Sequence, residues 1–243
     1  MIRLRFAYGQ VTLGQVSNNG MRMRPKLIIT RPAPDGARFA AQFDAHRVIL
    51  SPLQRIDPVD ATCDARAVIF TSTNGVAQAA RLGMSSGPAW CVGARTAHMA
   101  QAAGFDAQSA DGNVEDLLRL IIAAKPDMPM AHIRGRDARG DLAPRLRAAG
   151  FDCADCIAYV QTPVPLSADA IAAIDGAEPV IIPLFSPRAA QLLSDQVTIG
   201  PHITVIAISK AVATNLDDAN IITAPQPNGD AMLLATKQVL AML

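Results

Sequence analysis

Half of the 243 residues are hydrophobic, 18% are charged, and the formal net charge is +1. That balance argues against a disordered chain and gives no electrostatic footing for nucleic acid or a membrane surface. No apolar run reaches the roughly eighteen residues of a membrane span, and no secretory signal opens the chain, so the cytoplasm is the expected compartment.

The first 24 residues contain four arginines and no acid, and Met21 and Met23 stand just before the first convincing strand. They read as a disordered, transit-like or mis-assigned N-terminal extension without a place in the core. From Pro25 onward the pattern is strand, turn, helix. "KLIIT" is a buried-strand run, "RPAPDG" a turn, and "ARFAAQF" a helical stretch with Phe39 and Phe43 on one face. Further units follow at "AVIFTS", "AWCVG" with "ARTAHMAQAAG", "MAHIRG" with "DLAPRLRAAG", "VIIPLF", and "ITVIAIS" with "KAVATNL". Gly104 and Gly150 stand where helix C-caps are expected. Short apolar strands separated by helices predict parallel sheets covered on both faces.

The chain also repeats itself. Ser72 and Ser186, Gly93 and Ser209, and Glu115 and Asp230 stand at matching points with a near-constant offset. This predicts two similar lobes. "RVILSPLQRIDPVD" and "CIAYVQTPVPLS" read as paired connectors at 51–56 and 158–162. One lobe then covers 57–157, the other is assembled from 25–50 and 163–243, and a cleft between them is the expected small-molecule site.

The Cys-x-x-Cys of "CADC" lies in a strand that leaves a helix, so its two thiols should point to opposite faces. Cys63, Cys91, Cys153 and Cys156 read as buried or incidental thiols rather than a redox or metal pair. His46, His98, His132 and His202 have no metal spacing and read as packing or surface residues.

Taken in order, "LIITRP", "VIFTSTNGV", "CVGARTA", the "RG" of "HIRGRDARGDLAPRLRAAGF", "AYVQTP", "LFSPRAA" and "NGDAML" resemble the uroporphyrinogen-III synthase family over about Lys26 to Leu243. The resemblance implies an α/β fold of two similar parallel-sheet, flavodoxin-like lobes joined by a two-stranded β connector. It implies a lyase of tetrapyrrole and heme biosynthesis that uses no metal and no organic cofactor. The substrate would be hydroxymethylbilane, a linear tetrapyrrole with eight carboxylates, cyclised with loss of water and inversion of the terminal pyrrole ring. The partner class is therefore this small molecule, with possible hand-over from hydroxymethylbilane synthase, no nucleic acid, no membrane, and a monomeric enzyme.

The repeated turns suit that substrate. The first amides of a helix lack intrahelical partners and favour anions, and small hydroxyls add donors without crowding a large ligand. Thr71, Ser72, Thr73 and Asn74, Gly93 and Thr96, Ser186, and Ser209 with Lys210 are the expected binding turns. Simple helix capping remains the other reading of each hydroxyl. Arg31, Arg134 and Gly135 follow matching strands; the two arginines meet carboxylates or bridge acids of the chain itself. By resemblance, Tyr159 is the linker tyrosine that assists departure of the hydroxyl, with a packed connector aromatic as the alternative. The last unit reads "ISKAVATNL", with Ser209 and Val212 where the family often has glycine and threonine, which puts a side-chain donor there in doubt. A non-catalytic binder or sensor of an anionic metabolite remains open. A nucleotide enzyme is disfavoured because "GRDARGD" lacks the end of a P-loop.

Overall fold

The computed structural model describes residues 2–6, 9–13, 25–137, 140–214, 216 and 220–243. In chain order the strands are β1 (Ile2–Phe6), β2 (Gly9–Leu13), β3 (Lys26–Ile29), β4 (Val48–Leu50), β5 (Gln54–Pro58), β6 (Ala67–Phe70), β7 (Pro88–Cys91), β8 (Asp106–Ser109), β9 (Met130–Gly135), β10 (Cys153–Pro163), β11 (Val180–Leu184), β12 (Ile203–Ala207) and β13 (Asn220–Thr223). The α-helices are α1 (Asp35–Ala40), α2 (Thr73–Arg81), α3 (Ala94–Ala102), α4 (Val114–Ala124), α5 (Leu142–Ala148), α6 (Ala168–Asp175), α7 (Pro187–Ser194), α8 (Lys210–Ala213) and α9 (Gly229–Met242).

The chain divides into two compact units, one of residues 1–55 with 163–243 and one of residues 56–162. The first carries a five-stranded sheet of order β13-β12-β11-β3-β4, whose pairs are all parallel. In the second the order is β5-β10-β9-β6-β7-β8, parallel from β10 through β8. Each β-α-β connection returns to the same sheet in the same direction, which is why both faces are covered by helices and the strands are largely apolar. The two orders match strand for strand from β13 to β4 and from β8 to β10, so the sequence repeat is also a topological repeat.

Each sheet separates two apolar layers. In the first unit Ile28, Ile182 and Val205 pack with α6 and α7 on one face, and Leu27, Ile29, Ile181 and Ile206 with Phe39 and α9 on the other. In the second, Val68, Phe70 and Ile133 pack with α2 and α3, while Ala67, Ile69 and Met130 pack with α4 and α5. The i, i+2 alternation along β6 and β9 sends successive residues to these opposite layers.

Gly104 and Gly150 have φ of 98° and 92°, the left-handed conformation of helix termination expected for them. Phe39 and Phe43 meet with ring centroids 5.2 Å apart, although α1 itself ends at Ala40.

Residues 2–6 and 9–13 pair as antiparallel strands that belong to neither parallel sheet. Met21 and Met23 lie outside the described residues. Cys63 and Cys156 are not incidental thiols but form a disulfide that ties the segment before β6 to β10. Cys153 and Cys156 do fall in opposite layers, as alternation requires. Burial pushes the remaining free thiols up, Cys91 to about 12 and Cys153 to about 11, which keeps both unreactive.

Candidate functional site

In parallel α/β sheets, ligand chemistry gathers at the carboxyl ends of the strands, where helix N-termini also open. In the unit of residues 56–162 the carboxyl ends of β6 and β9, with the bulged part of β10 alongside, bring together Thr71, Ser72, Arg134, Gly135 and Tyr159.

Tyr159 reaches its place through a β-bulge. β10 runs beside β9 with Ile157 opposite Arg134, then shifts register so that Tyr159 lies opposite Gly135. Ala158 and Tyr159, consecutive residues, consequently both pack into the layer that holds Phe70 and Ile133. A bulge of this kind re-aims a side chain that simple alternation would send to the other face.

Gly135 makes room for the Tyr159 ring. A Cβ there would stand 2.6 Å from Tyr159 Cε2 and 3.0 Å from Cζ. The aromatic ring is packed, with 5% of the residue exposed. Burial raises the phenol above its ordinary pKa, while the Ser72 side chain, the Gly135 backbone and the Arg134 charge act in the opposite sense and favour the anion.

Ser72 is the N-cap of α2, and its hydroxyl oxygen accepts from the Asn74 amide at 3.2 Å. Thr73 and Asn74 form the first turn of that helix and are half-buried. At α3 the N-cap is Gly93, which supplies no side-chain cap, and the space beside it is open for 4 Å. Thr96, by contrast, is buried within the first turn. The Thr96 side chain is thus placed less favourably for a ligand than the rim of the same turn.

Thr71 points to the face opposite Tyr159. Its Oγ1 lies 3.1 Å from His132 Nε2. On the same face Asp155 Oδ1 stands 3.3 Å from His132 Nδ1 and 3.6 Å from Arg134 Nε. Arg134 also donates from Nη2 to the Arg136 carbonyl at 3.4 Å. His132 and Asp155 are neighbours in parallel register, a pairing that sequence reasoning misses. The available signal is a buried histidine inside the largely apolar strand "MAHIRG".

The other unit repeats the turns without this polar face. Ser186 caps α7 through a bond from the Ala189 amide at 3.1 Å. Arg31 donates to Asp35 at 2.7 Å and lies 4.1 Å over the Phe185 ring, so it bridges an acid of its own chain. Ser209 precedes the four-residue α8 and makes no side-chain cap bond, and Lys210 beside it is exposed. Among the described residues no cluster of three or more His, Cys, Asp or Glu has the geometry of a metal site, and no helix is long and apolar enough to cross a membrane.

Residues 39–233 match the family model of uroporphyrinogen-III synthase HemD. Among solved structures, uroporphyrinogen-III synthetase of Helicobacter pylori is similar with a TM-score of 0.66 and 18% identity, over 89% of this chain and 100% of that one. A mutant uroporphyrinogen III synthase of the extremely thermophilic bacterium Thermus thermophilus is similar with a TM-score of 0.54 and 15% identity, over 90% and 99%. At such identities these two likenesses speak for the fold. No curated protein sequence matches the chain. The family match spans well over half of the chain, and the chain therefore belongs to the uroporphyrinogen-III synthase family, cyclising lyases of heme biosynthesis whose substrate is hydroxymethylbilane.

Proposed function

We propose that this chain carries out the family reaction with Tyr159 as the group that assists loss of the hydroxyl. In that step the C–O bond of the terminal hydroxymethyl group breaks, the oxygen takes the electron pair and, together with the proton given up by the pyrrole N–H of the same ring, leaves as water, and a neutral azafulvene remains. The last pyrrole ring then attacks to form a spiro intermediate and inverts before the macrocycle closes. The observation that supports the assignment is the position of Tyr159: the β10 bulge sets it opposite Gly135, beside Ser72 and Arg134, at the carboxyl ends of β6 and β9. Its raised pKa makes full proton delivery unfavourable, and a hydrogen bond to the departing oxygen is the better description.

The carboxylates are met chiefly by backbone and small side chains. The first turn of α2 at Thr73 and Asn74 and the open N-terminus of α3 at Gly93 present amides at the positive ends of helix dipoles. Ser186, Ser209 and Lys210 supply further polar groups in the other unit. Arg31 and Arg134 act second-hand, since each already holds an acid of the chain. Rate and isomer choice then rest largely on holding one fold of the substrate.

The same reading has the enzyme acting as a monomer in the cytoplasm, receiving hydroxymethylbilane from hydroxymethylbilane synthase. In a reducing cytosol the Cys63–Cys156 disulfide would be reduced. Incubation of the purified protein with freshly generated hydroxymethylbilane, with resolution of the I and III isomers, tests the proposal. Isomer III is expected; only isomer I, at the protein-free rate, refutes it.

A further inference from the structure

His132 is 4% exposed in a strand whose neighbouring side chains are mostly apolar, yet both of its ring nitrogens face polar atoms. Nε2 lies 3.1 Å from Thr71 Oγ1, and Nδ1 lies 3.3 Å from Asp155 Oδ1. Burial holds the imidazole neutral, with its pKa lowered to about 4 against the raising effect of Asp155. A neutral imidazole carries one N–H, and its position decides the direction of every bond around it.

The carboxylate settles that position. A lone pair on Nδ1 would face the Asp155 oxygen across 3.3 Å and be repelled, whereas a proton there is attracted. Nδ1 has no hydrogen-bond partner in good alignment, so the preference comes from the charge of Asp155 rather than from a well-formed bond. With the proton on Nδ1, Nε2 is a pure acceptor. Thr71 must then donate its only hydroxyl hydrogen inward, to His132. What the hydroxyl can offer outward is oxygen lone pairs.

We infer that Asp155 and His132 form a positioning pair that turns the Thr71 hydroxyl into an acceptor, so that the Thr71 turn receives an N–H donor of the ligand rather than a carboxylate. This rests on the proposed function for the identity of that donor: a tetrapyrrole carries pyrrole N–H groups as well as carboxylates. The two faces of the turn are then chemically opposite. Ser72 accepts from Asn74 and keeps its own hydrogen, whereas Thr71, one residue earlier, has spent its hydrogen on His132. Specificity follows from the difference. A carboxylate placed against Thr71 would meet oxygen lone pairs, which disfavours any substrate fold that puts a propionate or acetate where a pyrrole nitrogen belongs.

Histidine ring 15N spectra of the full chain, assigned with His132→Gln, test the pair without reference to activity. At neutral pH the two-bond couplings should show a protonated Nδ1 and an unprotonated Nε2; an Nε2–H tautomer or an imidazolium overturns the inference. Asp155→Asn, whose amide can donate to Nδ1, should shift His132 toward the Nε2–H form, and persistence of Nδ1–H in that variant overturns the role of Asp155. In the isomer assay Thr71→Val should lower kcat/KM about tenfold, the worth of one hydrogen bond, while Thr71→Ser should restore most of it. A fully active Thr71→Val variant also overturns the acceptor role. A wild type that forms no isomer III refutes the proposed function instead, and the 15N result distinguishes that outcome from failure of the pair.

Discussion

Replacing Gly135 by alanine is a small change with a directed effect, because the added methyl group meets the Tyr159 ring first. The new Cβ would lie 2.6, 3.0 and 3.1 Å from Tyr159 Cε2, Cζ and Cδ2, distances that packed carbon atoms do not tolerate. The ring cannot simply swing away, since Tyr159 is 5% exposed and packs among Phe70, Ile133 and Ala158. Gly135 does not adopt a positive φ, so its backbone accepts alanine without strain and the whole effect belongs to the methyl. Overpacking of this kind costs about 1 to 3 kcal/mol, and a displacement near 1 Å of a group that acts in the transition state lowers turnover roughly 10²-fold. Gly135→Ala should therefore lose stability in urea melts and lose kcat together. In a Tyr159→Leu background the clash is relieved, and the same Gly135→Ala change should cost well under 1 kcal/mol, the non-additivity expected of two residues in contact. An unchanged penalty in that background would refute the reasoning, as would a fully active and stable single variant.

Tyr159→Phe keeps the ring and removes one hydrogen bond from the departing oxygen, so kcat should fall roughly 10² to 10³ while urea melts stay close to wild type; a wild-type rate would remove Tyr159 from the chemistry. Ser186→Ala deletes the bond to the Ala189 amide and should cost about 1 kcal/mol of stability, read from the same melts. The Cys63–Cys156 disulfide closes a sequence separation of 93 residues, so adding reductant to oxidised protein should lower stability by about 2 to 4 kcal/mol; no change would show that the bond contributes nothing. His132, with its pKa lowered from 6.5 to about 4, takes up a proton in the unfolded chain before the folded one, so its stabilising contribution is complete above about pH 6.5 and is lost as pH falls toward 4. That loss amounts to about 3 kcal/mol, and His132→Leu should flatten this part of the stability profile.

Apolar runs mark some elements clearly in the sequence, whereas elements whose stability comes from neighbours leave no such mark. β6, β9 and β11 are buried runs between turns and are legible at once. β8, "DAQS", is a polar sheet edge that exists because β7 offers it a parallel ladder, and no local pattern announces it. α6 is hidden for a related reason: three of its eight residues, Ala170, Ala173 and Ile174, are buried, and its remaining alanines and acids read equally well as a loop. At the site, Tyr159 is reached through resemblance, whereas its aim depends on a register shift that no count along "CIAYVQTP" can supply. His132 reads as packing because one histidine among apolar residues lacks a partner in sequence. Its partners come from β10 and from the end of β6, brought alongside by pairing. Topology also explains why the repeat gives no help: in the matching strand β3 the apolar run continues through Ile29, 1% exposed, with no histidine in it. The duplication that makes the fold readable therefore conceals the site, because the Thr71, His132 and Asp155 arrangement is the part of one unit that the other does not repeat.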